Sequence, residues 1–163
     1  NTVRDIDPIY RTEIEKNDYG SLRTLYEYLV VNKDKHNDMI RRLNRKKDMS
    51  WQERDCEYIV RYPQTVNDFC REAIYQHNCL LTYFYPWLHG DTNILFMREK
   101  NNVNMPFITI EIFDNRLIQA YHRFNKNCSE EEEFFINDYC KRHGIENDTF
   151  TFIRLTFLTG RNW

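Results

Sequence analysis

FITIEIFDNRLIQAYHRF, residues 107–124, decides the fold of this chain. Ile108, Ile110 and Ile112 alternate with Thr109 and Glu111, the period of a strand whose successive side chains point to opposite faces. Asp114-Asn115 then interrupts the run. Both residue types tolerate positive φ, so the pair fits a two-residue hairpin turn, and Arg116 to Phe124 reads as the return strand. Upstream, Ile94 to Arg98 is a further short strand, separated by the polar loop Asn101 to Asn104 and by Pro106. The expectation is a three-stranded antiparallel meander, with a fourth strand over Thr149 to Leu158, where residues again alternate and are β-branched or aromatic.

Outside the meander the apolar period changes to three-to-four, which marks helices. Leu22, Leu25, Tyr26, Leu29 and Val30 form one such stripe, with Asp18 or Ser21 as its cap, and Met39, Ile40 and Leu43 form a second after a polar break at Asn32 to Lys35. Ser50 and Glu53 fit a capping box before a short helix through Tyr58. Ile59 to Tyr62 then reads as extended, because Pro63 disfavours helix in the residue before it. Thr65 with Asp68 starts a helix from Val66 to about His77. The apolar run Cys79 to Tyr85 continues as a helix that bends or ends near Pro86. Ser129 with Glu132 is another capping box, and Gly144 is placed to stop the helix it opens. The fold class is therefore α+β: a helical N-terminal region, 1–50, and helices packed on a small antiparallel sheet in 51–163, the two capable of forming one continuous domain.

The chain has 163 residues, enough for one domain with a sizeable core. Aromatic residues make up 15%, far above a disordered composition. Formal net charge is −2, so nucleic-acid binding has to come from a local patch rather than the whole surface. The five cysteines are odd in number, scattered, and form no C-x-x-C pair, which suits a reducing cytoplasm better than a disulfide framework. No apolar run is long enough to span a membrane, and the start NTVRDIDPIY shows no signal-peptide segment. A cytoplasmic location is expected.

Three segments carry a family pattern. In YIVRYPQTVNDFCREAIYQHNCLLTY the telling residues are Pro63, Asp68, Glu72, His77, Cys79 and Tyr83. In NILFMREKNNVNMPFITIEI they are Arg98, Pro106, Thr109 and Glu111, and in RLIQAYHRFN they are Gln119 and Asn125. Over 58–144 the chain resembles the PcfJ-like family of plasmid and phage proteins. The resemblance implies a mobile-element origin and brings no established biochemical activity. Glu72-Ala73 replaces the family's E-G, His77-Asn78-Cys79 its H-H-C, and Tyr121-His122 its R-G, so a family active site in that region would be lost here. The first 50 residues lie outside the likeness.

Candidate sites each have a plainer reading. Cys79 with His77 offers a thiolate-imidazole pair, although residues two apart do not meet on a helix; the plainer reading is a buried thiol in an aromatic cluster. Cys140 and His143, with His77 and Cys79, supply four zinc-type ligands, but H-x-C is an uncommon ligand pair and Cys140 has a core role. Arg41, Arg42, Arg45, Lys46 and Lys47 form a basic patch able to neutralise phosphates; the alternative is a solvated helix face offset by Asp34, Asp38 and Asp48. Arg98, Glu111, Gln119 and Asn125 are expected on an exposed sheet face that, with Tyr121 and Phe124, binds single-stranded nucleic acid, or else Arg98 and Glu111 form a plain cross-strand ion pair. Tyr83, Phe84, Tyr85 and Trp87 read as core in preference to a partner-binding hot spot.

No phosphate-cradling loop, zinc-protease motif or nucleophile elbow occurs, and no cofactor is expected. The leading expectation is a non-catalytic phage or plasmid protein that binds a bacterial protein or nucleoprotein complex. A CRISPR-type effector is one such target, with Glu130 to Glu133 imitating phosphate charge. The alternative is a nucleic-acid-binding accessory module using 41–47, and behind it a cysteine-dependent enzyme.

Overall fold

Asp114 and Asn115 turn the chain with φ of 52° and 54°, the left-handed pair that a tight hairpin matching the strand twist requires. The strands they join are β3 (Ile108–Phe113) and β4 (Arg116–Tyr121). Between Glu111, opposite Gln119, and Ile112, opposite Leu117, the register shifts and Ile118 is the extra residue on β4. β2 (Asn93–Glu99) pairs antiparallel with β3, and β1 (Tyr58–Arg61) pairs antiparallel with β2, giving the order β1-β2-β3-β4. A computed structural model describes residues 19–150. Thr149 and Phe150 lie in a turn, and the remainder of the expected strand at 149–158 falls outside the described residues. Within them, the fourth strand of the sheet is β1, the segment read as extended before Pro63.

Five α-helices complete the described fold: α1 (Tyr19–Val31), α2 (Lys33–Arg45), α3 (Val66–Gln76), α4 (Phe84–Leu88) and α5 (Glu130–Arg142). Asp18 lies outside the described residues, and Ser21 sits inside α1 instead of capping it. The break before α2 is one residue, Asn32. Thr65 caps α3 by accepting from the Asp68 amide, and Ser129 and Glu132 close a reciprocal capping box on α5. Gly144, with φ +68°, follows α5 in the left-handed conformation that glycine adopts without strain. Pro86 neither bends nor ends α4. The helix begins only two residues before it, where the missing amide would have had no partner.

The capping box expected at Ser50 is not formed. Asp48 accepts from the Ser50 amide and hydroxyl and caps a single 3₁₀ turn, Met49–Trp51. Glu53 is needed elsewhere: its amide and carbonyl pair with those of Val60, both at 2.9 Å, so the chain runs extended where a helix was expected. At the opposite side of the sheet the Leu117 amide bonds to the Glu146 carbonyl at 2.8 Å.

Helices cover both faces of the sheet. On one, Phe69, Phe84 and Trp87 pack with Ile94, Phe96 and Tyr121, and Leu25, Leu29 and Ile40 of α1 and α2 join the same cluster. Phe84 and Trp87 are fully enclosed, which bears out the core reading of that aromatic run. On the other face Ile136, Tyr139 and Cys140 of α5 pack on Val60, Leu95, Met97 and Ile110. At about 25 cal/mol per Å² of apolar area removed from water, each enclosed Leu, Ile or Phe contributes roughly 1.5–3 kcal/mol. All five cysteines are free. No helix among the described residues is long and apolar enough to cross a membrane.

Candidate functional site

The polar residues of the family pattern meet between α3 and the sheet. Phe96, Arg98, Thr109, Glu111 and Gln119 alternate with apolar partners, so the strand period turns them to the face that α3 covers. Arg98 is 2% exposed, and Glu72, Thr109, Glu111 and Gln119 are fully enclosed. The exposed polar sheet face expected from the alternation is therefore corrected: α3 lies over it. The ion pair is corrected too. Arg98 donates to both oxygens of Glu72, at 3.3 and 2.5 Å, and does not pair with Glu111. Thr109 Oγ1 donates to Glu72 Oε1 at 2.6 Å and accepts from Gln76 Nε2 at 3.1 Å. Glu111 forms its own set, accepting from Thr92 at 2.7 Å and Gln119 at 2.9 Å. Burial pushes the Glu72 carboxyl up, and the Arg98 guanidinium and the Thr109 hydroxyl pull it back. Such a network fixes how α3 sits on the sheet, with every one of its charged groups enclosed.

Where α3 ends, the backbone is left-handed at three non-glycine residues. His77 caps the helix at φ 51°, while Phe124 (φ 60°) and Asn125 (φ 56°) follow β4. This ends the return strand at Tyr121 and not at Phe124 as expected. A bulky residue in that region is strained, and the fold spends the strain on bringing rings together. His77 and Phe124 stack at 4.8 Å, and the Arg123 guanidinium lies 4.6 Å from the Tyr75 ring and 4.8 Å from Phe124. Phe124 is exposed while Tyr121 is buried, so the two do not share a stacking surface. His77, Cys79 and Asn125 line one hollow of about 580 Å³ beside Ile74 and Tyr26.

The zinc set is not assembled. His143 Nε2 is held by Glu53 at 2.6 Å and Cys140 is buried beneath α5, whereas His77 stacks on Phe124 beyond the other face. Among the described residues no group of three metal-ligating side chains converges. Burial pushes Glu53 up, but hydrogen bonds from Arg142, His143 and Cys56 outweigh it and hold the carboxyl below the usual range.

The basic run is divided by helical geometry. Arg41 and Arg45 lie one turn apart and exposed, with Arg41 paired to Asp38. Met39, Arg42, Leu43, Lys46 and Lys47 instead face a cleft of about 720 Å³. α2 ends at Arg45, and Lys47 turns inward past its end. Its ammonium bonds to Asn93 and lies 5.3 Å from the centre of the Tyr62 ring, and burial lowers its pKa to about 8. Lys47 is thus not part of an exposed patch. Trp51, Asp91, Phe113 and Asp114 also line the cleft, which sequence reasoning missed. The spacing 39-42-43-46-47 was a signal for the near wall, but nothing local links it to a hairpin seventy residues on.

Fold and motif together define an α+β domain in which a buried polar lock joins helix to sheet and a charged cleft opens beside α2. The PcfJ-like protein family model matches residues 21–136, most of the chain, and the chain belongs to that family. The match starts well before Tyr58, so most of α1 and all of α2 fall within it, which corrects the expectation that all of the first 50 residues lie outside. Neither a curated protein nor a solved structure matches the chain.

Proposed function

We propose that the chain is a non-catalytic, mobile-element binding module whose partner is nucleic acid, contacted through α2. The observation that carries the reading is the exposure of Arg41, Arg42 and Arg45 on one helix and of Lys46 at its C-cap. Lys33 and Lys35 are exposed near its start. The other charged residues of the family pattern are spent inside, on the lock between α3 and the sheet. Enclosure of Glu72, Arg98 and Glu111 favours a scaffold over a catalytic role. Phosphate imitation by Glu130 to Glu133 loses support, because Glu132 is turned inward to the Ser129 amide at 2.7 Å and to His122 at 2.6 Å.

Each phosphate neutralised releases counterions, so the logarithm of the binding constant falls with the logarithm of salt by about 0.7 per contact on single strands and about 0.9 on duplex. Anisotropy titrations over a salt series measure that slope. Substituting Arg41, Arg42 and Arg45 together by Ala flattens it by about 2 to 3 on this reading. An unchanged slope, or no binding at low salt, refutes it. A second reading, with a bacterial protein or nucleoprotein as partner, draws on exposed Ile74 and Phe124 flanking the His77 hollow. Affinity capture with and without nuclease separates the two: a partner that survives nuclease supports the second.

A further inference from the structure

Beside α1 and α3 the surface carries cations and rings held in water. We propose that it docks the outer face of α5 from a second copy of the chain, with Phe134 of that copy entering the hollows there and its Glu130 and Glu131 meeting Arg71 and Arg123. The inference goes beyond the nucleic-acid reading, because no residue of α2 takes part, and it gives to the chain itself the face that the second reading offers to a bacterial protein. Two hollows adjoin, of about 620 and 580 Å³, and Tyr26, Ile74 and His77 line both. Ile74 is 57% exposed, an aliphatic side chain left in water where the two hollows share their lining. Phe124 is 54% exposed and stacks on the exposed His77. Both residues hold left-handed backbone, so two rings are kept at the surface against local strain.

Arg71 and Arg123 line the larger hollow together, and no carboxylate lines either hollow. Arg123 lies over the Tyr75 and Phe124 rings, and no carboxylate among the described residues pairs with it. Arg71 is 3.9 Å from Asp68, whose oxygens already accept from Arg61 at 3.1 Å and from the Gln64 amide at 3.0 Å. Arg23 is not counted, because Glu27 pairs with it at 3.2 Å. An occupant of this face therefore has to bring negative charge and an apolar group together, and α5 presents both. Phe134, 76% exposed, stands four residues from Glu130 and three from Glu131, the spacings at which side chains are neighbours on a helix surface. Both carboxylates are exposed, and no ion pair among the described residues takes either. Glu132 is held in the capping box, so docking of its neighbours leaves the helix start intact. A helix that lays a ring and its flanking charges into an apolar groove is a recurrent mode of recognition. Arginine with aromatic rings is also the composition enriched where proteins meet.

Sedimentation velocity of the full chain over a series of concentrations, at low and at high salt, tests the inference. The expected result is a mass that rises with concentration and falls with salt. Phe134→Ser weakens the association about tenfold or more. Arg71→Glu with Arg123→Glu gives each copy two acidic faces, and Glu130→Arg with Glu131→Arg gives each copy two basic ones, so either double variant alone is monomeric. Mixed, the two double variants associate again, a recovery that unfolding cannot produce. A wild type that stays monomeric at every concentration overturns the inference, as does an association that survives both double variants. A monomeric wild type whose affinity for an oligonucleotide falls with Arg71→Glu and Arg123→Glu overturns it in favour of nucleic acid at this face. The α2 reading is decided separately, by the salt slope of the Arg41, Arg42 and Arg45 variant.

Discussion

Replacing Glu72 by Ala removes the counter-charge of a guanidinium that is 2% exposed. Arg98 loses hydrogen bonds at 3.3 and 2.5 Å, and Thr109 loses the acceptor it reaches at 2.6 Å. Breaking one side of a buried pair costs about 3–5 kcal/mol, because the remaining charge stays desolvated and uncompensated. For a domain whose total stability is of order 5–15 kcal/mol that is a large share. In a chain of this length 1 kcal/mol corresponds to roughly 2–4 °C, so the midpoint of thermal unfolding falls by about 6–20 °C. Urea unfolding followed by tryptophan fluorescence gives the free energy directly, provided the slope with denaturant is unchanged. The decisive comparison is the double replacement Glu72→Leu with Arg98→Met. It removes both charges and leaves an apolar pair in the same space, which is often neutral or stabilising. It is expected to be more stable than Glu72→Ala alone, although Thr109 then keeps only Gln76 as its partner in the lock. A cost below about 1 kcal/mol for Glu72→Ala, or a double variant no more stable than the single, refutes the account of the lock.

Three further outcomes follow from buried groups. Burial lowers the pKa of His36, whose Nδ1 donates to the Asn32 carbonyl at 2.9 Å and whose Nε2 accepts from the Tyr85 hydroxyl at 3.0 Å. The unfolded chain then takes up the proton first, so stability is full above the ordinary histidine range and falls as pH drops through it; His36→Gln flattens that limb in unfolding curves from pH 8 to 5. Lys47, with its pKa lowered to about 8, is likewise better tolerated when neutral. The stability of wild type relative to Lys47→Met therefore rises between about pH 8 and 10.4 and is level below, a difference that guanidinium midpoints at each pH read out. Burial pushes the thiols of Cys70, Cys128 and Cys140 up to about 12, while Cys56 and Cys79 are half-buried. Mass spectrometry after brief alkylation of the folded chain shows label at Cys56 and Cys79 first and at the other three only on unfolding.

What could be read from the sequence was whatever a few adjacent residues decide. Asp114-Asn115 specified its turn because both residues accept the left-handed conformation. Thr65 and Ser129 specified helix starts because the groups they satisfy lie three residues away. Ser50 misled because a stronger competitor, Asp48, stands two residues earlier and because Glu53 is claimed by Val60. The candidate site was less legible. Period two correctly put Arg98, Thr109, Glu111 and Gln119 on one face, yet no local signal says that a helix forty residues earlier in the chain covers it. The polar residues there are enclosed, not solvated, and Glu72, the partner of Arg98 and Thr109, belongs to a helix whose pattern looked merely amphipathic. The basic run was visible as composition, but its division into an outer pair, a cleft wall and an inward Lys47 depends on where α2 stops.

The bridge from Glu53 to Val60 and the bond from Leu117 to Glu146 sit at the two outermost strands, where backbone donors and acceptors would otherwise face water. An outermost strand with open hydrogen-bonding groups is a template on which another chain can add. Here short pieces of the same chain occupy those groups at β1 and β4, and on the β4 side the Glu146 carboxylate also pairs with Arg116 at 2.6 Å. At these positions the edge groups are taken, so a second chain has no open donor or acceptor to pair with there. Glu53→Pro, which deletes the donating amide of the bridge, is the substitution that would reopen one side.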